Sequence, residues 1–266
     1  MATEFPKEYL SALDKVIELN SFTTKYTVKG AEFANAKTVM VPELVFDGGA
    51  VDYDRFETEG SVEQKYTAYG LDKDRQKAFY IDAVEDIDDG HVRTTNAVSE
   101  FERLFLVPEL DTYFFSNVGS KAKTKATEAL TAANVKDEIR KAATQMVNNG
   151  FAAADLYMTT DALHALEDSI DRQFAGEGTI TDEVGKYNMF TVHQVPDARL
   201  AGLDFAVIAP GCVSTVIKRA ANYLFPAGTH THGDGWLCQM RWVYGNVAFK
   251  NKTAGMYVNK AGNPSV

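Results

Sequence analysis

The 266-residue sequence has no apolar stretch long enough to cross a membrane as a helix. Its uninterrupted apolar runs, such as residues 205–210, fall far short of the roughly 20 residues that a spanning helix needs. The N-terminal segment, MATEFPK, lacks the basic flank, apolar core and cleavage site of a secretory signal. These absences predict a protein without a membrane partner that is made inside the cell.

Cysteine is scarce, because only Cys212 and Cys238 are present and neither has a CxxC or ligand-like spacing. Both lie in apolar surroundings, and disulfides belong mainly to secreted chains, so we predict two reduced, buried thiols. Cys212 with His193 would be a possible nucleophile and base, but no family signature surrounds the cysteine and nothing in the sequence brings the two together.

The signatures of common enzyme sites are also absent. The sequence has no GxGxxG, GxxxxGK[ST], HExxH, GxSxG or CxxC pattern. This removes the usual phosphate-cradling loops, zincin sites, nucleophile elbows and redox pairs. We therefore predict a protein that has no catalytic centre and needs no cofactor.

Two polar clusters leave metal chemistry open. His230, His232 and Asp234 offer two imidazoles and a carboxylate, which a transition metal accepts, so a metal-dependent hydrolase is kept as an alternative. Glycines on both sides predict a loop there. The acidic residues 85–89 resemble a hard-cation site, but their spacing does not match an EF-hand loop, and a solvated turn before a helix is favoured.

Negative charge is concentrated in one part of the chain. The net charge is -10, and residues 43–89 contain 14 acidic and 5 basic residues, a net of -9. Binding to a phosphate backbone depends on lysines and arginines that displace counterions. The charge balance therefore argues against a nucleic-acid reader.

The same acidic part contains the pattern of a β-hairpin. Residues 50–57 and 61–69 alternate in polarity and are rich in valine and tyrosine, with a turn predicted at Glu59 and Gly60. Strands with so many charges cannot bury a core of their own, and an isolated hairpin is marginally stable in water. We therefore expect the hairpin to lie on something else.

Helical spacing dominates the middle of the chain. Phe101 and Phe105 belong to an amphipathic helix predicted over residues 94–106, and Pro108 starts a second helical segment or kinks one long helix that ends near Gly119. Aromatic residues spaced in this way are typical of a core.

The remaining pattern alternates between the two element types. We predict helices at 9–19, 135–149, 162–169 and 213–220. Strands are predicted at 77–82, 156–158, 189–195, 205–209, 236–244, 247–249 and 256–258. This mixed order predicts an α+β fold.

A family resemblance rests on four phrases in a fixed order. They are residues 46–55 (FDGGAVDYDR), 69–82 (YGLDKDRQKAFYID), 107–111 (VPELD) and 245–252 (GNVAFKNK). With these phrases the chain resembles the major capsid proteins of tailed bacteriophages over roughly residues 38–259. The order and spacing of the phrases carry the likeness.

The resemblance implies the Hong Kong 97-like major capsid protein fold. Its implied parts are an N-terminal arm (1–42), an extended β-hairpin loop (43–75), a spine helix (about 93–118), a peripheral domain (76–149 and 232–266) and an axial domain (150–231). The extended loop would reach over a neighbouring subunit, which explains a hairpin without its own core. The implied contact residues are Tyr53, Arg55, Phe56, Lys65, Tyr66 and Tyr69.

The implied function is assembly. Such proteins form pentamers and hexamers that tile an icosahedral head around double-stranded DNA, so the implied location is the virion, assembled in the cytoplasm of a bacterial host. Portal and decoration proteins are implied partners. A scaffolding region has no room before residue 38, which implies a separate scaffold protein or none. An encapsulin-type compartment shell, which shares the fold, remains an alternative.

Some members of the family join a lysine of the extended loop to an asparagine of a neighbour. Lys65 is the only lysine between Gly48 and Gly70, and Asn246 or Asn251 would be its partner. We favour ordinary ion pairing for Lys65, because the activating carboxylate is not identifiable in the sequence.

Overall fold

The computed structural model describes residues 21–28, 33–35, 37–47, 61–88, 92–169 and 183–260. The strands are β1 (Thr27–Val28), β2 (Phe33–Asn35), β3 (Thr38–Phe46), β4 (Val62–Gly70), β5 (Lys73–Asp82), β6 (Thr124–Ala126), β7 (Ala154–Met158), β8 (Glu183–Tyr187), β9 (Phe190–Gln194), β10 (Phe205–Ile208), β11 (Val213–Phe225), β12 (Gly235–Ala248) and β13 (Met256–Asn259). The α-helices are α1 (Ala83–Asp88), α2 (Val92–Phe101), α3 (Val107–Lys121), α4 (Val135–Asn148) and α5 (Thr160–Ser169).

One long helix, here called the spine helix, is formed by α2, a π-helical turn at Glu102–Leu106, and α3. Pro108 accounts for the π turn, because proline lacks an N–H and its ring collides with the carbonyl four residues earlier, at Leu104. The helix therefore continues through the proline, as one of the two predicted alternatives has it. It also passes Gly119, where a Cβ would lie 3.3 Å from Leu203, so this glycine allows close packing and does not end the helix.

A four-stranded sheet packs against the first part of the spine helix, in the strand order β1-β11-β12-β5. The side chains of Met240, Trp242 and Tyr244 alternate along β12 on the face toward the helix. Phe101 stacks on Trp242 at 5.9 Å between ring centres, and Tyr113 meets Tyr244 edge to face at the same distance. Phe101 and Tyr113 thus pack against the sheet as predicted, whereas Phe105 is 60% exposed and lies outside this core.

A six-stranded sheet carries the main core, in the strand order β6-β13-β10-β7-β9-β8. The predicted apolar face of α4 (Val135, Ile139, Ala142 and Met146) is fully buried there. Phe114 and Phe115 of α3 belong to the same core, so the spine helix joins both sheets. Among the described residues, none of the helices is long and apolar enough to pass through a membrane.

A short N-terminal segment, residues 21–28, contacts the spine helix and both sheets. The carboxylate of Asp111 on α3 accepts hydrogen bonds from Ser21 Oγ (2.8 Å), Thr23 Oγ1 (2.9 Å) and the Phe22 N–H (3.3 Å), and it pairs with Arg199 (3.1 Å). Both charged groups are buried. Burial raises the pKa of Asp111, although these hydrogen bonds and the charge of Arg199 oppose that rise.

Further along the same segment, a second set of contacts reaches the six-stranded sheet. Tyr26 OH donates to Asp155 Oδ2 at 2.7 Å, and Lys25 Nζ lies 2.7 Å from Asp155 Oδ1. Thr27 and Val28 then pair with β11 of the four-stranded sheet. The segment thus fixes the two sheets relative to each other.

Two sequence predictions have different outcomes. The strand predicted at 61–69 is present and pairs with β3, and residues 50–57, predicted as its partner, lie outside the described residues. Residues 213–220, predicted as a short helix, are the start of β11, because pairing with β12 along nearly its whole length overrides the local helical spacing. The helix predicted at 9–19 also lies outside the described residues.

The sheets group the chain differently from the domain limits that the resemblance implies. Helix α4 and strand β13, which those limits assign to the peripheral domain, pack in the core of the six-stranded sheet. Strand β11, assigned entirely to the axial domain, belongs to the sheet on the first part of the spine helix.

Candidate intersubunit surface

A hairpin of β3 and β4 leaves the body of the protein at its base. The two strands pair from Thr38↔Gly70 to Phe46↔Val62. At the base, Val39 and Leu71 are buried against the valines of β11 and β12. Gly245 of β12 makes this close approach possible, since a Cβ there would lie 2.8 Å from Leu71 Cα and 3.0 Å from Gly70 O.

Burial falls steeply from the base of the hairpin to its far end. Successive side chains of a strand point to opposite faces, and opposite pairs share a face. One face carries a continuous set of exposed apolar side chains, here called the hairpin stripe, which consists of Met40, Leu44, Phe46, Val62 and Tyr66. Leu44 is 61% exposed, Phe46 65%, Val62 60% and Tyr66 60%.

The opposite face of the hairpin is acidic and polar toward its far end. Glu43 lies directly across from Lys65, and Lys65 Nζ is 3.1 Å from Glu63 Oε2. Lys65 and Glu63 are about 60% exposed, so their ion pair adds little stability. Strand β2 pairs with β3 only at the base, at Val39 and Thr38, so the far part of the hairpin is two-stranded. Such a hairpin cannot be stable through its own contacts, and a contiguous exposed apolar surface marks an interaction site.

Several solved structures share the fold of this chain along nearly its whole length. The capsid structure of cyanophage P-SCSP1u has a TM-score of 0.71 at 13% identity, over 98% of this chain and 93% of that one. The mature capsid of bacteriophage PhiM1 has a TM-score of 0.68 at 14% identity, over 99% and 93%. The chain has the Hong Kong 97-like capsid fold. A virus-like particle from Pyrococcus furiosus is also similar, with a TM-score of 0.57 at 15% identity over 90% and 92%.

Comparisons of the sequence alone identify no relatives. No protein-family model matches the chain, and no curated protein matches it either. Identities this low show the shared fold alone, so function has to be argued from the surfaces of this chain.

The predicted contact residues do not lie together on one surface. Tyr53, Arg55 and Phe56 lie outside the described residues. Tyr66 belongs to the hairpin stripe, whereas Lys65 lies on the acidic face. Tyr69 packs against the valine cluster of its own subunit, and burial raises the pKa of its hydroxyl.

The apolar members of the hairpin stripe were missed by the sequence analysis. Their signal was the alternation in residues 38–46 (TVMVPELVF), where Met40, Leu44 and Phe46 fall on one face. The hairpin predicted from the sequence has residues 50–57 as its first strand and so does not include residues 38–46.

The two conceivable asparagine partners of Lys65 differ in access. Asn246 is buried in β12, where its Oδ1 accepts a hydrogen bond from Thr215 Oγ1 at 2.9 Å. Asn251 is exposed in a 3-10 turn. Lys65 forms an ion pair with Glu63, in line with the ion pairing favoured from the sequence, and Asn251 is the more accessible of the two conceivable partners of a covalent link.

The metal-site candidates lie in the loop between β11 and β12. His230 Nε2 donates to Gly235 O at 2.9 Å, and its Nδ1 accepts from the His232 N–H at 3.2 Å, so both ring nitrogens are engaged. Across the described ranges, no three groups from His, Cys, Asp and Glu are arranged to hold a metal ion. In this geometry the three candidates, His230, His232 and Asp234, belong to the loop and do not form a metal site.

The acidic run at 85–89 begins inside a helix rather than in a solvated turn. Asp82 Oδ1 accepts a hydrogen bond from the Val84 N–H at 2.9 Å, which caps the start of α1. Asp86 is fully buried, so the predicted solvated position is wrong for this residue.

The two cysteines are free and buried, as predicted. Burial raises the pKa of Cys212 to about 11 and also raises that of Cys238. His193 stacks on Tyr157 and hydrogen-bonds Asp155, whereas Cys212 packs beneath Gly255 in the main core. Nothing in these contacts makes Cys212 a nucleophile.

We expect both thiols to resist modification in the folded subunit. A protonated, buried thiol reacts slowly, because the thiolate is the nucleophile. At pH 8, a disulfide reagent should label Cys212 and Cys238 fully only after urea is added. Rapid labelling of Cys212 in the native protein would contradict its place in the core.

Proposed function

We propose that this chain is the major capsid protein of a tailed bacteriophage, which assembles through pentamers and hexamers into an icosahedral head around double-stranded DNA. The observation that carries the proposal is the hairpin stripe. It is exposed in the isolated chain, and the chain has the fold of capsid proteins. A shell gives such a surface a partner in every subunit, and many weak contacts add up to a stable particle.

We assign the parts of the fold accordingly. The hairpin of β3 and β4 is the extended loop, and the four-stranded sheet with the first part of the spine helix is the peripheral domain. The six-stranded sheet with α4 and α5 is the axial domain. The limits of the domains thus follow the sheets, and we assign α4 and β13 to the axial domain.

The partners follow from the same role. The main partner is a second copy of this chain, and portal, decoration and scaffold proteins complete a head that is assembled in the host cytoplasm and becomes the virion. The net charge of -10 supports a container that encloses DNA without sequence-specific binding. The subunit has a structural role and needs no cofactor.

An encapsulin-type compartment is the second candidate, favoured by one observation. The virus-like particle from Pyrococcus furiosus shares the fold over 90% of this chain. Its TM-score of 0.57 is lower than those of the two phage capsids, which favours the phage role.

The proposal is tested by expressing the chain alone and with proteins encoded beside its gene. We expect size-exclusion chromatography and negative-stain microscopy to show closed shells or their pentamers and hexamers. A portal or terminase gene beside this one would support the phage role, whereas a cargo-enzyme gene would support the encapsulin. A small, stable oligomer under every condition would exclude both.

A further inference from the structure

A small cavity lies where the end of the spine helix meets the edge of the six-stranded sheet. Its volume is about 110 Å³, and its lining comes from α3, the region of the edge strand β6, the turn at 201–203 and the end of β13. The cavity thus lies at the junction of several elements of the main core.

The floor of the cavity is apolar and firmly held. Phe115 is fully buried, Val258 is 2% exposed and Leu203 is 5% exposed. The backbone at Gly119 lies directly beside Leu203, since a Cβ there would be 3.3 Å from Leu203 Cδ2. The floor is therefore formed before any ligand binds, which lowers the entropic cost of binding.

The turn that carries Leu203 has an unusual backbone. Ala201 has a φ of 57°, in the left-handed region that residues other than glycine rarely adopt, and Gly202 follows with a φ of 75°. The Leu203 N–H donates to Leu200 O at 3.1 Å, which closes the turn. A strained residue of this kind persists only where its surroundings fix it, and such residues cluster at ligand sites. Here the strained Ala201 is itself part of the cavity lining.

The rim of the cavity is positive and contains no acidic side chain. Lys125 and Lys260 line it together with the hydroxyl residues Ser116, Ser120 and Thr127. Lys125 Nζ donates to Ser120 O at 2.9 Å, and an ammonium group has three donors, so further donors remain for a ligand. Among the described residues, neither lysine has a carboxylate within ion-pair distance.

The neighbouring sequence adds to this positive charge. Residues 116–126 contain three lysines and no acidic residue, although the whole chain has a net charge of -10. Lys121 and Lys123 are exposed between the lining residues Ser120 and Lys125. An anion that approaches the cavity therefore meets an attractive field.

We propose that this cavity binds a short-chain aliphatic carboxylic acid, with the carboxylate at the two rim lysines and the aliphatic body on the apolar floor. A protein cavity of about 150 Å³ holds a benzene ring, so the present volume of about 110 Å³ has room for a body of about four or five carbons. Inorganic phosphate would leave the apolar floor unfilled, and a neutral hydrocarbon would leave both lysines without a partner. The site shares no residue with the hairpin stripe, so the inference goes beyond the shell function and does not rest on it.

Equilibrium dialysis of the full-length chain against radiolabelled 4-methylpentanoate tests the proposal. We expect one saturable site per subunit with a dissociation constant of about 1 mM or lower, as is usual for a ligand of about eight non-hydrogen atoms. Acetate has the charge without the body, and 4-methylpentanamide has the body without the charge. Each should compete about tenfold more weakly or worse than the unlabelled acid.

Substitutions at the rim locate the site. Lys125→Gln combined with Lys260→Gln should weaken binding about tenfold or more, because charge-assisted hydrogen bonds to the carboxylate are lost. Lys121→Gln combined with Lys123→Gln is the matched control, since it removes the same charge from exposed residues that do not line the cavity. This control should change the dissociation constant by less than about threefold, because charges exposed to solvent are screened. Ser116→Phe, at an exposed position of the rim, should block the mouth and abolish binding.

The outcomes are decisive in either direction. The assignment is overturned by a full-length chain without saturable binding, by an amide that competes as well as the acid, or by equal losses in the two lysine pairs. Circular dichroism and thermal unfolding of each variant distinguish lost binding from lost folding. Shell assembly by the unmodified chain is measured separately, and its failure would count against the proposed function alone.

Discussion

Removal of the far half of the hairpin should leave a folded subunit that cannot form closed shells. The change deletes residues 44–64 and joins Glu43 to Lys65 through Asn-Gly. Glu43 and Lys65 are directly paired, so this two-residue turn closes the ladder in its native register. The base of the hairpin, with Val39 and Tyr69, stays intact. Far-UV circular dichroism and size-exclusion chromatography would report a native-like subunit, and electron microscopy would find no particles.

A smaller change at the same surface provides the matched test. Phe46 and Val62 face each other in the ladder, and changing both to aspartate removes most of the apolar end of the hairpin stripe. Burying one such side chain stabilises an interface by about 1.5–3 kcal/mol, and a shell repeats this contact in every subunit. Val147→Asp, at an equally exposed site on α4, is the control. Normal particles from the deletion would refute an intersubunit role for the hairpin.

Loss of the Asp111 carboxylate should strongly destabilise the subunit itself. Asp111→Ala removes the carboxylate that pairs with the buried Arg199 and takes the hydrogen-bond acceptor away from Ser21, Thr23 and the Phe22 N–H. Breaking a buried ion pair on one side costs about 3–5 kcal/mol. Urea unfolding of unassembled subunits, followed by tryptophan fluorescence, would measure this change.

The spine helix offers its own control for that measurement. Glu109, two residues before Asp111, pairs with Arg75 near the surface, where the two side chains are 35% and 50% exposed. An exposed pair of this kind contributes about 0–1 kcal/mol, so Glu109→Ala should shift the unfolding midpoint only slightly. Equal effects of the two substitutions would show that residues 21–23 are not fixed by the buried Asp111.

The sequence predicted the helices well, because their periodicity is local. The spine helix, α4 and the mixed α+β order were predicted, and Pro108 was recognised as a point of irregularity. The π turn itself was not predicted, since it depends on how the chain accommodates the proline against Trp242 and Phe79.

Strand partners were harder to predict, because pairing depends on residues far apart in the chain. The alternation at 61–69 identified β4, but its pairing with β3, which lies further away in the sequence than the predicted segment 50–57, was not predicted. The spacing in 213–220 also fits a helix, and only the long ladder with β12 makes this segment a strand. For the same reason the sequence could not assign α4 and β13 to the six-stranded sheet.

The candidate surface was predicted in kind but only partly in its residues. The charge count identified an acidic hairpin that needs a partner, and Tyr66 was named. Leu44, Phe46 and Val62 were missed, since an apolar residue in a strand is expected to be buried until its register shows an exposed face. The exposure of Phe105 was not foreseen, because the π turn in which this residue lies is a property of the folded helix.

The central claim is that this chain builds a shell in which each hairpin lies on a neighbour. Cryo-electron microscopy of assembled particles, at a resolution that shows side chains, tests it most directly. We predict that the far half of the hairpin, residues 44–64, lies on an adjacent subunit, with Leu44 and Phe46 buried there. A hairpin folded onto its own subunit, or one that points into solvent with both side chains exposed, would contradict the claim.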